Sequence, residues 1–443
     1  MFTSKLYKLS PVFIQNILLS SRAFIRKKLR ENTDCEMLTQ KLQTHEFSYE
    51  LLNKYIDKTL SDVVTNANET IDYYKGTGTD ITKYPYIEKS TVNSHKDKFL
   101  SPQKKGAVIK GATSGTTGAP LVIPQGIESV ITEQAFVNRG LAWAGFKKGD
   151  KRAWIRGDMI VPLEQKQLPF WRYSYFENMI MLSSFHMAPK NLQAYINAMV
   201  DFGVQVIQAY PSSIVTLAKY LEVNNEYYPG EIKSVFTSSE SLAKEDKHLI
   251  ETRFKCTVFD WYGLFERVAA IASCEHGRYH ILTDYAHVEL LPASKTEDGR
   301  DRAEIVGTNF NNALYPLIRY KTGDHVILSD EKHCPCGRVF PLVDSIEGRT
   351  GDYLIAEDGQ KVHILNHIPK GVSGLLGAQF IQKEYMKIEV LVTCNSNFTT
   401  EQKLKLIGNT KERLGNTMDV TITIVDDLIR TKNGKMKQAI CDL

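Results

Sequence analysis

Between residues 107 and 328, short apolar runs alternate with helical segments, and this alternation most narrows the folds open to the chain. The runs at residues 152–155, 204–207, 234–236 and 257–259 are strand-sized, and the stretches 191–201, 211–221 and 243–253 between them carry helical spacing. Strand and helix in that rhythm call for crossover connections, so this region is expected to form a layered α/β fold with parallel strands. Residues 1–100 read as helical and polar, with amphipathic stretches at 35–42 and 49–64, a helical cap on that body. At residues 347–352 the chain passes a Gly-rich, charged joint. Beyond it come strand-like runs at 353–356, 379–382, 388–392 and 420–425, and a helix over 401–414. One core stops growing near about 250–300 residues. The 443-residue chain is therefore expected to divide into a large domain over 1–351 and a small α+β domain over 352–443.

Composition excludes several classes. Hydrophobic residues make up 42% and charged residues 24%, as in an ordinary globular chain, and no apolar run approaches the roughly 20 residues a membrane span needs. A formal net charge of +4, dispersed along the chain, makes no case for nucleic acid. Seven cysteines, an odd number without a secretory signal, argue against a disulfide framework, and the expected location is cytoplasmic. Residues 1–30 carry Lys5, Lys8 and five Lys or Arg from Arg22 onward, with no acid. Leu6, Phe13, Ile14, Ile17, Leu18 and Phe24 form the apolar face of this segment. Two readings stay open for it: a helix docked on the protein's own surface, and an amphipathic helix resting on anionic lipid.

The chemistry-bearing segments are few and widely spaced. Ser114-Gly115-Thr116-Thr117-Gly118-Ala119-Pro120 is a Gly/Ser/Thr loop whose free N–H groups and hydroxyls suit phosphate oxygens. Strand-like flanks at 106–110 and 121–123 make it a hairpin tip, and the GxxxxGK[ST] pattern is absent there. Downstream follow Tyr262-Gly263-Leu264-Phe265-Glu266, Tyr320-Lys321-Thr322-Gly323-Asp324, Gly348-Arg349 and Asn433-Gly434-Lys435. Cys334 and Cys336, one residue apart, together with Cys274 and His280, would make a tetrahedral metal set; His276 competes with His280, and unpaired buried thiols are the alternative. Residues 170–210 are dense in aromatics, among them Tyr175, Phe185, His186 and Tyr210. They suit an acid-binding pocket or, equally, a core.

Taken in order, these five segments resemble the core motifs of the adenylate-forming superfamily of acyl-CoA synthetases and peptide-synthetase adenylation domains. The resemblance runs from residue 107 to near the end of the chain. Ser10-Pro11, Gln15-Asn16 and the Cys334-to-Arg338 segment resemble the phenylacetate-CoA ligase branch, and especially its CapK-like members linked to surface polysaccharide synthesis. The resemblance implies an ATP- and Mg2+-dependent enzyme that converts a carboxylic acid to acyl-AMP with release of pyrophosphate. The acyl group then passes to an amine, such as an amino sugar or nucleotide sugar, or, as the alternative, to CoA.

It further implies that Ser114, Gly115, Thr116, Thr117 and Gly118 hold the ATP phosphates and that Glu266 bears on Mg2+. Ser238, Ser239, Glu240, Asp260, Trp261, Tyr262 and Gly263 would border the adenine, Asp324 would accept both ribose hydroxyls, and Arg349 would donate to the same nucleotide. Lys435 would act on the carboxylate and α-phosphate as charge develops. Asp352 would be the hinge of a mobile lid, and Cys274, His280, Cys334 and Cys336 the ligands of a structural zinc. Leu121 stands where many superfamily members have Lys, as it does in the phenylacetate-CoA ligase branch. The segment 356–362 departs from true CoA ligases, which puts CoA in question. Neither the acid nor a monomeric or dimeric state is read from these residues.

Overall fold

The computed structural model describes residues 2, 4–103, 107–112, 121–296, 298–347, 353–362, 365, 368–431 and 433–443. The chain forms two compact units, each assembled from separated stretches.

The first unit takes Met1–Ala23, Lys147–Val258 and Thr350–Leu443. Its larger sheet runs Ser234–Ser238, Val206–Ala209, Arg152–Arg156, Met179–Ser183, Trp171–Ser174 in spatial order. All neighbours are parallel except the last pair, in which the edge strand Trp171–Ser174 runs antiparallel. Helices Leu192–Phe202, Pro211–Val223 and Lys244–Phe254 supply the crossovers. Every residue of Met179–Ser183 and Ser234–Ser238 is buried, as expected of strands covered on both faces. The expected α/β layering with parallel strands is present here. Residues beyond 352 form a second sheet, Asp419–Ile424, Lys387–Cys394, Leu375–Glu384, Ala439–Cys441, against the helix Thr400–Leu414. Its core holds Phe380, Ile388, Val390, Val392 and Leu406.

The second unit takes Phe24–Phe146 and Phe259–Arg349. Here the parallel expectation fails, because the strands Ala270–Ser273, Tyr279–Ile281, Ala286–Pro292, Arg302–Asn309, Tyr320–Leu328 and Leu342–Glu347 are joined by loops and not helices. Their pairings among the described residues are antiparallel, as short connections require. The expected hairpin is present, with Val108–Ala112 against Val122–Gly126. The polar helices are also present, at Thr33–His45 and Tyr49–Thr70, capped by Asn32 and Ser48, whose side chains accept from the Cys35 and Leu51 N–H groups. A buried ionic network fastens the first of them to the helix Ile127–Trp143. The Arg139 guanidinium donates both to Asp284 Oδ2 and, at 3.0 Å, to Asp284 Oδ1, and His45 Nε2 lies 2.7 Å from Oδ2. Burial would push the Asp284 carboxyl up, yet Arg139 and His45 hold it below the usual carboxylate range.

Candidate functional site

In the first unit the carboxyl ends of four parallel strands carry the site residues, the position where open α/β sheets bind ligands. Arg156 ends Arg152–Arg156 with Gly157 next, Ser184-Phe185-His186 follows Met179–Ser183, Tyr210 follows Val206–Ala209, and Ser238-Ser239-Glu240 closes Ser234–Ser238. Ser239 turns the chain with φ +75°, and its hydroxyl accepts from Arg156 Nη2 at 2.6 Å. The Arg156 guanidinium also lies over the Tyr210 ring, 5.0 Å from its centroid. Glu240 accepts from the Ser212 N–H at 2.9 Å, one of the unpaired donors at the start of the helix Pro211–Val223.

Against these strand ends sits the turn that carries Lys435. The Thr431 N–H donates to the Lys435 carbonyl at 2.9 Å, and Gly434, at φ +71°, closes the turn with its N–H on the Thr431 carbonyl. Three contacts fix the turn: the Met436 N–H to Glu240 Oε1 at 2.9 Å, the Tyr210 hydroxyl to the Asn433 carbonyl at 3.2 Å, and Arg430 Nη1 to Ser212 Oγ at 3.4 Å. The approach requires glycine on both sides. A Cβ on Gly157 would sit 1.6 Å from the Asn433 oxygen, and one on Gly434 would sit 2.5 Å from Gly157 Cα. Phe185 and Tyr210 therefore border the Lys435 turn. His186 is buried, stacked on Phe170 at 4.6 Å between centroids, with Nδ1 2.8 Å from Ser183 Oγ; burial holds its pKa down. Tyr175 is not brought to this group. It lies at the amino end of Met179–Ser183, 61% exposed, because its strand runs antiparallel.

The second unit gathers the remaining motif residues. The Tyr262 hydroxyl donates to Asp324 Oδ2 at 2.7 Å, and Gly323, at φ +73°, with the Thr322 hydroxyl on the Asp324 N–H, shapes the turn behind that carboxylate. Glu266 is buried and accepts from the Tyr320 hydroxyl at 3.3 Å, so one strand, Tyr320–Leu328, orients both acids. Asp260 is buried, with its carboxylate taken by the Tyr279 hydroxyl at 3.1 Å; Trp261 is buried beside it, and Gly263 ends the strand Thr257–Gly263. Arg267 escaped the sequence reading. Its guanidinium donates to the Ser129 carbonyl and hydroxyl and, at 2.9 Å, to Gln125 Oε1. The residue after Glu266 is thus tied to the hairpin and helix that follow the Gly/Ser/Thr loop. Ser114, Gly115, Thr116, Thr117, Gly118, Arg349 and Asp352 lie outside the described residues.

Cys274, His280, Cys334 and Cys336 bring their ligand atoms within 4.8 Å of one another. Two like turns present them: the Gly277 N–H bonds to the Cys274 carbonyl and the Gly337 N–H to the Cys334 carbonyl, each glycine at positive φ. Cys274 and Cys334 sulfurs are 3.5 Å apart, as are Cys336 Sγ and His280 Nε2. A tetrahedral ion with metal–sulfur bonds near 2.3 Å needs ligand atoms about 3.5–3.8 Å apart, so the donor set fits a metal. Burial, then the Arg338 charge, pushes the His280 pKa down to about 4, which leaves a neutral imidazole suited to ligation.

The CapK C-terminal domain family model matches residues 354–442. The chain is 27% identical over 449 residues to Protein CapK of Staphylococcus aureus, with 98% of each chain covered. It is 26% identical over 288 residues to phenylacetate-coenzyme A ligase of Pseudomonas putida, with 62% of each covered. Among solved structures, 2-hydroxyisobutyryl-CoA ligase in the postadenylation state has a similar fold, with a TM-score of 0.62 at 15% identity over 89% of this chain and 90% of that one.

Fold and relatives define an AMP-forming ligase of the adenylate-forming class. Within that class the chain is similar to Protein CapK over 98% of its length and to phenylacetate-CoA ligase over 62% of it, and its residues 354–442 match the CapK C-terminal domain.

Proposed function

We propose that the chain activates a carboxylic acid as acyl-AMP and passes the acyl group to an amine, an amino sugar or nucleotide sugar, in capsule or O-antigen polysaccharide synthesis. The carrying observation is the Lys435 turn, clamped by Tyr210, Glu240 and Gly157 at the strand ends where the acid would lie. A cationic arm there meets the carboxylate and the α-phosphate as negative charge builds between them. Ser114 to Gly118 hold the phosphates, Ser238, Ser239 and Glu240 border the adenine with Tyr262, and Asp324 and Arg349 accept and donate at the nucleotide. Glu266 would hold Mg2+, whose charge stabilises the polyphosphate when bound. Cys274, His280, Cys334 and Cys336 would hold a structural zinc, because four protein donors leave no open position for water. The segment 352–443 serves as the lid, hinged at Asp352; the family match that begins at residue 354 supports this division.

The amine acceptor rests on the resemblance to CapK-like members, and the similarity to phenylacetate-CoA ligases favours CoA as the second reading. Pyrophosphate release from ATP and Mg2+ across aryl, short acyl and amino acids, with Lys435→Ala as control, tests adenylation. With the active acid in hand, amino sugars and CoA are compared as acceptors. Amide formation without thioester supports the first reading; thioester formation with amino sugars inert refutes it.

A further inference from the structure

The helix Val12–Arg30 is inside out for a helix packed on a protein surface. Such helices ordinarily bury their apolar stripe and expose their polar one. Here the buried stripe is Gln15, Asn16, Leu19, Ser20 and Ala23. Its polar members finish the edge of the larger sheet. Asn16 Oδ1 accepts from the Tyr173 N–H at 3.0 Å, Ser20 Oγ accepts from the Tyr175 N–H at 3.0 Å, and Gln15 Oε1 accepts from the buried Arg172 guanidinium. Residues 16 and 20, one helical turn apart, thus cover N–H groups that an edge strand otherwise leaves open. The opposite arc is apolar and faces out. Phe13 is 63% and Ile17 54% exposed, and Ile25 and Leu29 continue the arc, with Leu6 at 76% on the preceding helix Lys5–Leu9.

We propose that this outward face docks on an anionic lipid surface, the helix lying in the plane of the membrane. Charge selects lipid over other occupants. Residues 1–30 contain seven Lys or Arg and no acid, and Lys5 and Lys28 are exposed beside the apolar residues. The combination of an apolar face and flanking cations is that of interfacial helices. A second copy pairing through the same face would set these cations against each other. No helix among the described residues is long and apolar enough to cross a membrane, so the contact is peripheral. Docking by polar side chains also explains how the helix keeps its place while its apolar face stays outside.

Flotation of the full chain with vesicles of phosphatidylcholine containing about 30 mol% phosphatidylglycerol, against pure phosphatidylcholine, tests this. The chain is expected to float with the anionic vesicles alone and to be released at about 0.5 M salt. Phe13→Ser with Ile17→Ser, and separately Lys5→Glu with Lys28→Glu, are each expected to weaken recovery by about tenfold or more. Melting temperature and pyrophosphate release should be unchanged, since these side chains point away from the sheet. Failure to float, or equal recovery of the variants, overturns the proposal. Self-association abolished by Phe13→Ser with Ile17→Ser also overturns it, in favour of a second copy.

Discussion

Gly157→Ala puts the Lys435 turn to a direct test. The added Cβ would lie 1.6 Å from the Asn433 oxygen and 2.4 Å from its carbonyl carbon, both backbone atoms that no rotamer change can move. An ordinary carbon–oxygen contact is roughly 3.2 Å, so the turn must retreat by about 1.6 Å. That displacement breaks the 3.2 Å Tyr210 bond and the 2.9 Å bond from Met436 to Glu240, and it carries Lys435 with it. A misplacement of about 1 Å commonly costs a hundredfold, so pyrophosphate release in a single turnover should fall by about 10²-fold, near 2.7 kcal/mol in the barrier. Because the loss acts through Lys435, Gly157→Ala combined with Lys435→Ala should be little worse than Lys435→Ala alone. On the proposed lid motion, which takes the Lys435 turn away for the second step, acyl transfer from a synthetic adenylate should change by less than about threefold. A variant that keeps adenylation within about threefold of the parent, or whose loss adds fully to that of Lys435→Ala, refutes the reasoning.

Three further outcomes follow from buried groups. Asp284→Asn takes from the fully buried Arg139 its bidentate partner, leaving only Glu46 at 3.8 Å from Nε, and should cost about 3 kcal/mol in urea unfolding, while Arg139→Met with Asp284→Asn recovers part of the loss. Burial raises the Asp427 pKa from 3.8 to about 6 against the opposing pull of Arg430, so its stability contribution is present at low pH and lost as pH rises through 6. Discounted for partial exposure, Asp427→Asn should stabilise by about 1–2 kcal/mol at pH 7.5 and by nothing measurable at pH 3.5, as read by thermal melts. Cys336→Ser should abolish stoichiometric zinc in metal analysis and lower stability by on the order of 3 kcal/mol; unchanged metal content would refute the ligand set.

The α/β layering was legible because strands such as Arg152–Arg156 and Val206–Ala209 are short apolar runs separated by helical spacing, a local signal. The antiparallel strands from Ala270–Ser273 to Leu342–Glu347 were not, since partner choice rests on connection length and register, which a composition window does not record. At the site, acids such as Glu266 and Asp324 stand inside recognisable segments. Arg267 and Gly157 do not. Arg267 matters through Gln125 and Ser129, more than 130 positions away, and Gly157 through the Asn433 carbonyl. A signal for Gly157 did exist: it follows directly on a parallel strand, the position where α/β sheets place ligands. Tyr175 was grouped with Phe185 by aromatic density, and strand direction separates them.

The helix Val12–Arg30 marks the limit of periodicity as a guide to burial. An apolar stripe tells which face of a helix is cheap to dry, but the face actually dried depends on what the neighbouring surface offers. The edge strand Trp171–Ser174 offers N–H donors and a buried guanidinium, and leaving such groups unsatisfied costs about 1–3 kcal/mol each, comparable to burying a Phe or Ile side chain. Gln15, Asn16 and Ser20 answer those donors, and Phe13 and Ile17 on the opposite arc are left outside. Replacing Asn16 and Ser20 by Leu should therefore destabilise the chain even though it makes the buried stripe more apolar. If that double variant melts at or above the parent temperature, the hydrogen bonds to Tyr173 and Tyr175 do not set the orientation of the helix.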